Sequence, residues 1–145
     1  MTRRPTDSAI ASTQSSNDPS DGGSHAADRV ARILLVDDDP LVLDALSGWL
    51  EAECGAEVIA CTSAEQAMAL TSPARFDVCI LDYQLTGADG LTLGAMLREL
   101  NPATRLILLS GNLSPAVESL ALEHGFGRIF RKPVSPKHLI DAIIL

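Results

Sequence analysis

The sequence contains very few aromatic residues, only 3% of its 145 residues, while aliphatic and other hydrophobic residues bring the apolar share to 46%. Any core must therefore be built from aliphatic side chains. The sequence also lacks an apolar run of the ~20 residues needed to span a bilayer. Arg3 and Arg4 are not followed by the apolar segment of a signal peptide. We expect no membrane segment and no export.

Cysteine is scarce, and its pattern excludes two kinds of site. The number of cysteines is odd and no C-x-x-C pair occurs, so disulfides and a zinc site are not expected. A reducing, cytoplasmic compartment suits this pattern best. The net charge of −8 argues against a nucleic-acid-binding surface. The three cysteines are Cys54, Cys61 and Cys79.

The first 29 residues differ in composition from the rest of the chain. Residues 1–29 are rich in Ser, Thr, Asp, Gly and Pro and contain almost no large apolar residue. Such a segment cannot bury enough surface to offset the entropy lost on ordering. We predict a disordered polar tail over 1–29 and a single domain over 30–145.

Within 30–145, short apolar runs alternate with amphipathic segments of helical period. Proline after a capping residue opens three of the helices, as in Asp39-Pro40. This alternation predicts an α/β fold with a doubly wound, five-stranded parallel sheet. Because the sequence ends within the fifth helix, we expect no output domain. The predicted strands are Val30–Val36, Ala56–Cys61, Phe76–Leu81, Arg105–Leu109 and Arg128–Phe130; the helices are 40–54, 64–70, 90–100, 115–124 and 136–145, with Leu91, Met96 and Leu97 of the third facing inward.

Polar side chains follow four of the predicted strands. Asp37-Asp38-Asp39 follows the first strand, Asp82 the third, Ser110 the fourth and Lys132 the fifth. In a parallel sheet these strand ends lie at one edge, where open α/β sheets bind their ligands. Acids with one hydroxyl and one cation suit a divalent metal and a phosphoryl group. Asp39 itself directly precedes Pro40, so we interpret it as a helix cap.

Together these motifs resemble one family. From Arg32 to Leu145 the chain resembles the receiver domain of two-component response regulators, of the stand-alone, chemotaxis-regulator-like kind. The resemblance implies a flavodoxin-like (βα)5 fold with strand order 2-1-3-4-5. The matching elements, in order, are Asp37-Asp38, Asp82, Asp89-Gly90, Ser110-Gly111 and Lys132-Pro133.

The resemblance implies a role for each site residue. Asp82 would be the phosphoacceptor, forming an acyl phosphate. Mg²⁺ would be bound by Asp38 and Asp82 directly, by Asp37 largely through water, and by the backbone carbonyl of Gln84. Phosphoryl transfer depends mostly on positioning and charge stabilisation. Lys132 would pair with the phosphoryl oxygens and act with Asp82 in catalysis of the transfer, and Ser110 would hydrogen-bond the phosphoryl group.

The implied biology is that of a switch and not of an enzyme with a separate substrate. A histidine kinase or histidine phosphotransfer protein would donate the phosphoryl group. The added charge would change the surface formed by the fourth helix, fifth strand and fifth helix, which would bind an unknown downstream protein. Dimerisation on phosphorylation is a further expectation. Direct contact with nucleic acid or membrane is not expected.

Three positions depart from the family pattern. Thr86 occupies a position that is often proline, and Ser110 one that is more often threonine. Ile129 occupies a position that is often tyrosine or phenylalanine, so the aromatic switch of the family is missing there. Phe130 cannot substitute, because successive strand residues point to opposite faces. Transmission is therefore expected to rely on the Ser110 loop and the fourth helix.

Two alternatives stay open. A pseudo-receiver would be a folded scaffold that is never phosphorylated, which the absence of an aromatic residue at Ile129 allows. A phosphatase of the haloacid dehalogenase kind also uses an aspartate after an apolar strand. Such an enzyme needs a second aspartate two residues later, where this chain has Gln84.

Overall fold

The structure is a computed structural model that describes residues 31–71 and 75–144. The predicted disordered tail, 1–29, lies outside the described residues. Five strands alternate with five helices in the described part. The elements are β1 Arg32–Val36, α1 Pro40–Cys54, β2 Glu57–Cys61, α2 Ala64–Thr71, β3 Val78–Asp82, α3 Gly90–Leu100, β4 Arg105–Ser110, α4 Pro115–Glu123, β5 Phe126–Arg131 and α5 Pro136–Ile144.

The sheet has the order β2-β1-β3-β4-β5, and every strand pair is parallel. This confirms the doubly wound, flavodoxin-like fold with strand order 2-1-3-4-5. The register places Asp82 opposite Leu109 and Ser110 opposite Arg131. The carboxyl ends of β3, β4 and β5 therefore lie in line at one edge of the sheet.

Two mainly aliphatic cores lie on the two faces of the sheet, and the first also contains the buried rings of Phe76 and Phe126. Side chains alternate between them along each strand, so Leu34 of β1 belongs to one core and Leu35 to the other. Residues of α2, α3 and α4 cover the first face, and residues of α1 and α5 cover the second. None of the helices in the described ranges is long and apolar enough to cross a membrane.

Capping residues fix both ends of α1, the helix that follows Asp37 and Asp38. The Asp39 side chain accepts a hydrogen bond from the Leu41 N–H at 3.0 Å, and Pro40 is the first residue of α1. Gly55 ends α1 with φ 63°, a conformation that favours glycine. Asp39 is thus a helix cap, as its sequence context predicts, and α1 starts directly behind Asp37 and Asp38.

Several details differ from the sequence-based expectations. β3 starts at Val78 and not at Phe76, and β3 and β4 each end one residue later than predicted, at Asp82 and Ser110. Met96 is 41% exposed, whereas Leu91 and Leu97 are buried as expected. The inward stripe of α3 is completed by Leu93, four residues before Leu97, because residues four apart share one helix face.

β5 is longer than predicted, running from Phe126 to Arg131. Its pairing with β4 shifts by one residue, since Leu106 lies opposite Phe126 and Ile107 opposite Arg128. Gly127 is the extra residue of this bulge. A glycine-containing bulge weakens the strand pattern in the sequence, which explains why the first half of β5 was missed.

Candidate functional site at the carboxyl edge of the sheet

Asp37 is held just beyond β1 by backbone and side-chain hydrogen bonds. Its N–H donates to the Cys61 carbonyl at 3.1 Å, which extends the pairing of β1 with β2 by one residue. Its Oδ1 accepts from the Asp39 N–H at 2.9 Å. The residue is buried, 1% exposed, so its carboxylate is shielded from bulk water.

Asp82 is the last residue of β3 and is 7% exposed. Its Oδ1 lies 3.4 Å from the Gln84 N–H nitrogen. Its Oδ2 lies 3.1 Å from Lys132 Nζ. The two carboxylate oxygens therefore have different partners, one on the loop after β3 and one on the loop after β5.

Lys132 joins the two buried carboxylates. Its Nζ is 2.7 Å from Asp37 Oδ2 as well as 3.1 Å from Asp82 Oδ2. The Lys132 N–H donates to the Ser110 carbonyl at 2.9 Å, which continues the β4–β5 pairing and positions the lysine. The Lys132–Pro133 peptide bond is cis.

The pKa values of Asp82 and Lys132 are both affected by their partial burial. Burial raises the pKa of the Asp82 carboxyl, the nearby charge of Asp37 raises it further, and the hydrogen bond from Lys132 only partly offsets these effects. Burial alone lowers the pKa of Lys132, but its hydrogen bonds to Asp37 and Asp82 reverse this, and the pKa is raised. The lysine therefore stays charged, while the charged form of Asp82 is penalised.

The carboxylates form a group suited to a metal ion. One oxygen from each of Asp37, Asp38 and Asp82 lies within 4.8 Å of the others, and Asp38 is exposed. Three carboxylates against the single ammonium of Lys132 leave two uncompensated negative charges. Hard carboxylate oxygens, an excess of two charges and one solvent-facing side fit Mg²⁺.

Ser110 and Gln84 are placed at the same edge. Ser110 is buried, and its Oγ accepts from the Asn112 N–H at 3.2 Å. Among the described residues, no hydrogen bond links the Ser110 hydroxyl to the acidic group. Gln84 approaches Asp82 through its N–H, so its carbonyl as a metal ligand stays a prediction.

Ile129 and Phe130 point to opposite faces of β5, as expected. Ile129 packs against the core covered by α2, α3 and α4, and Phe130 against the core covered by α1 and α5. The ring of Phe130 therefore cannot take the position of the Ile129 side chain on the face of the sheet that α4 covers.

Gly90 is a site residue whose physical role the sequence does not reveal. A Cβ on Gly90 would lie 2.3 Å from the Asp82 carbonyl oxygen and 3.1 Å from the Tyr83 Cα. Its N–H also donates to the Tyr83 carbonyl at 2.7 Å. The start of α3 is thus in direct contact with the backbone that carries Asp82, and only glycine fits there. The Asp89-Gly90 pair at a helix start was the available signal.

A largely apolar cleft of about 470 Å³ lies beside Lys132. It is formed between α1 and the segment that joins β5 to α5. Sequence reasoning missed it because its two walls are distant in the chain. The lining residues are Val42, Ala45, Leu46, Leu109, Lys132, Pro133, Val134 and Pro136.

Comparison with known families and proteins agrees with this geometry. A sequence model of the response regulator receiver domain matches residues 33–144. The transcriptional regulatory protein AruR of Pseudomonas aeruginosa is 34% identical over 117 residues, which cover 77% of this chain and 47% of AruR. The chain spans about half the length, or less, of the curated relatives that it matches.

Solved structures show the same fold. A CheY-like receiver domain protein of Methanospirillum hungatei JF-1 is 30% identical with a TM-score of 0.77, covering 80% of this chain and 92% of its own. A response regulator of Burkholderia pseudomallei, solved with a phosphorylated aspartic acid, a calcium ion and citrate, is 27% identical with a TM-score of 0.73. That match covers 77% of this chain and 65% of the Burkholderia chain.

Proposed function

This chain belongs to the response regulator receiver domain family of two-component systems, and we propose that it is a phosphoacceptor in which Asp82 is the modified residue. One observation carries the proposal: Asp82 Oδ2 lies 3.1 Å from Lys132 Nζ, in a group with Asp37 and Asp38. A buried nucleophile beside one fixed cation and two further acids is what transfer of a phosphoryl group to a carboxylate needs.

The reaction forms one bond and breaks one. An Asp82 carboxylate oxygen attacks the phosphorus of a phosphohistidine on the donor protein, and the phosphorus–nitrogen bond breaks. The product is an aspartyl phosphate, and the released imidazole takes up a proton from solvent. Lys132 stays protonated, because its pKa is raised, and its ammonium then pairs with the phosphoryl oxygens.

Asp37, Asp38, Asp82 and the Gln84 carbonyl would hold Mg²⁺ at this site. When bound, the ion neutralises negative charge that builds up on the phosphoryl oxygens. Asp37 is already oriented by its contacts with Asp39 and Lys132. Asp38 is free to adjust because it is exposed.

The response follows from the change in charge at Asp82. A phosphoryl group brings about −1.5 to −2 charges and acceptor oxygens. The hydroxyl of Ser110, now accepting from Asn112, would turn to donate to the phosphoryl group. Movement of this loop would alter the face formed by α4, β5 and α5, where Leu122 and Ile144 are 63% and 69% exposed. That face would bind a downstream protein or a second copy of the chain.

The donor is a histidine kinase or a histidine phosphotransfer protein, and the setting is the cytoplasm. We place its docking surface over the apolar cleft beside Lys132. The cleft adjoins the phosphoacceptor, since Lys132 both lines it and contacts Asp82. A donor must bring its histidine close to Asp82, and an apolar surface next to that point provides binding energy. The chain itself has no separate substrate and is not proposed to be an enzyme.

Intact mass after incubation with acetyl phosphate and Mg²⁺ tests the proposal. The wild-type chain should gain one phosphoryl group, and Asp82→Asn should gain none. Asp39→Asn is the matched control, because asparagine also caps helices and Asp39 contacts neither Asp82 nor Lys132. Asp39→Asn should be modified like the wild type, and EDTA should prevent modification of both.

A folded wild-type protein that gains no phosphoryl group from either acetyl phosphate or a histidine phosphotransfer protein would contradict the proposal. The pseudo-receiver would then be the better interpretation. The phosphatase alternative has no support at the site, because the amide of Gln84 cannot act as a general acid.

A further inference from the structure

A second cleft, of about 450 Å³, lies at the opposite edge of the sheet from Asp82. The first residues of β4 and β5 and the last turns of α3 and α5 line it. Its walls include Pro102 and Ala103 from the loop after α3 and the bulge residue Gly127. A Cβ on Gly127 would meet no atom within 4 Å, so the bulge opens onto free space.

Three arginines from three different elements line this cleft: Arg98 of α3, Arg105 of β4 and Arg128 of β5. No aspartate or glutamate lines it, and within the ranges 31–71 and 75–144 none of these arginines has a carboxylate within salt-bridge distance. The chain as a whole carries a net charge of −8. Three cations that lack a paired carboxylate among the described residues make this cleft a candidate site for an external anion.

Backbone carbonyls hold two of the guanidinium groups in place. Arg98 Nη1 donates to the Gly125 carbonyl at 3.0 Å, and a Cβ on Gly125 would lie only 2.8 Å from Arg98 Nη1. Arg105 donates to the Ala142 and Ile143 carbonyls at the end of α5. These partners orient the groups without neutralising them, although the Ala142 and Ile143 carbonyls, at the negatively polarised end of α5, offset part of the charge of Arg105. Each guanidinium carries five N–H donors, so donors remain for a ligand.

Arg128 has the greatest freedom of the three. Its guanidinium lies 5.3 Å from the centroid of the Phe130 ring, and it makes no hydrogen bond to the described residues. An exposed arginine beside two fixed ones can close on a bound anion. The exposed apolar part of the lining is Pro102 and Ala103, whereas Leu106, Ile107 and Ala142 are buried beneath the cleft.

We propose that this cleft is a binding site for a small organic phosphate, such as a nucleoside monophosphate. Guanidinium groups match the geometry of phosphate oxygens. The volume lies within the range usual for small-molecule sites, and the exposed Pro102 and Ala103 offer apolar contact to the organic part of the ligand. The cleft lies at the start of β4 and β5, whereas Asp82 lies at the end of β3, so the two sites are separate. Binding of a ligand in the cleft would be a function in addition to phosphorylation of Asp82.

Isothermal titration of the full chain with adenosine 5′-monophosphate tests the proposal. EDTA is included so that no metal supports phosphate binding at Asp82, and adenosine and inorganic phosphate are titrated in parallel. We expect saturable binding of the monophosphate that weakens as salt is added, with weaker binding of both comparison compounds. Amide NMR shifts should locate the binding at Gly127 and Arg128.

Arg128→Gln is the informative variant, because it removes a charge without removing a hydrogen bond from the fold. It should weaken binding of the monophosphate at least about tenfold. Arg131→Gln is the matched control: it lies on the same strand, donates to the Leu113 carbonyl and lies outside the cleft. It should bind like the wild type, and both variants should still accept a phosphoryl group at Asp82.

Three results would overturn the proposal. One is the absence of saturable binding at millimolar monophosphate in low salt. Another is unchanged affinity in Arg128→Gln, or an equal loss in Arg131→Gln. The third is inorganic phosphate binding as tightly as the monophosphate, which would reduce the cleft to a site for a free ion. None of these results would bear on phosphorylation of Asp82.

Discussion

The first residue of α3, Gly90, lies against the Asp82 carbonyl so closely that a Cβ on Gly90 would be 2.3 Å from that oxygen. Real Cβ atoms do not approach a backbone oxygen to this distance. The backbone of Asp82, the proposed phosphoacceptor, can therefore hold this position only because Gly90, the first residue of the following helix, has no side chain.

Gly90→Ala should consequently impair the site as well as the fold. Either α3 or the end of β3 must move, at a cost of about 1–3 kcal/mol in the free energy of unfolding. We expect chemical denaturation to show this loss and acetyl phosphate to modify the variant more slowly than the wild type.

Two glycine variants serve as controls for Gly90→Ala. Gly94→Ala on the same helix meets the Phe126 ring at 2.5 Å, so it should lower stability and leave the phosphorylation rate of folded protein unchanged. Gly48→Ala on α1 meets nothing within 4 Å and should raise stability by about 0.5–1 kcal/mol. Equal phosphorylation rates in Gly90→Ala and Gly94→Ala would show that the contact with Asp82 does not matter.

Asp82→Asn should stabilise the metal-free protein at neutral pH. The pKa of Asp82 is raised above its ordinary value of 3.8, chiefly by burial, so the folded state favours the protonated carboxyl. Its contribution to stability is fully present below 3.8 and is lost as pH rises through the raised pKa. At pH 7 the ionised group is unfavourable, and the neutral amide removes this penalty.

Thermal unfolding in EDTA measures this effect. The melting temperature of Asp82→Asn should exceed that of the wild type by a few degrees at pH 7, where ~1 kcal/mol corresponds to about 4 °C. The difference should shrink as pH falls toward 3.8. Asp44→Asn, an exposed change on α1, should show no such difference. A lower melting temperature for Asp82→Asn at pH 7 would mean that the pairing with Lys132 outweighs burial.

Ser110→Ala should separate modification from response. Within the described ranges the hydroxyl accepts from the Asn112 N–H and has no hydrogen bond to the acids, so acetyl phosphate should still modify Asp82. The conformational change should be reduced, because the phosphoryl group loses a donor. Amide NMR of the beryllofluoride-treated protein should show smaller shifts in α4 and β5. Ile129→Ala is the control, because Ile129 has no polar group that could bind the phosphoryl group. The beryllofluoride-induced shifts in α4 should stay close to those of the wild type in this variant.

Ala45→Glu should impair transfer from a protein donor specifically. The new charge lies in the apolar cleft beside Lys132 and would be buried under a docked partner. Transfer from a histidine phosphotransfer protein should slow at least about tenfold, while acetyl phosphate should still react. Ala52→Glu, the same change on the exposed side of α1 and outside the cleft, is the control. Equal slowing with both donors would place the effect at Asp82 itself.

Much of the site could be predicted because its residues follow strands in the sequence. Asp37, Asp82 and Ser110 directly follow apolar runs, and Lys132 follows Phe130 with one residue between them. A parallel sheet must bring such strand ends to one edge. Hydrophobic periodicity and capping residues predicted where the helices start, because both depend on residues that are close together in the chain. Met96 was assigned wrongly because the inward face of α3 is decided by packing against the sheet.

The sequence by itself determined the elements, their order along the chain and the chemical character of the carboxyl edge, since these follow from local pattern and strand direction. The order of the strands within the sheet was implied by the resemblance to receiver domains. Tertiary structure decided which groups touch. It set the bridge from Lys132 to Asp37 and Asp82 and the close approach of Gly90 to Asp82. It also brought Arg98 and Arg128 into one cleft through a bulge in β5. Residues as distant in the chain as Asp37 and Lys132 meet only through packing. Gly90 and Asp82 are closer in sequence, but they belong to different elements, and their contact also depends on how α3 packs against the end of β3.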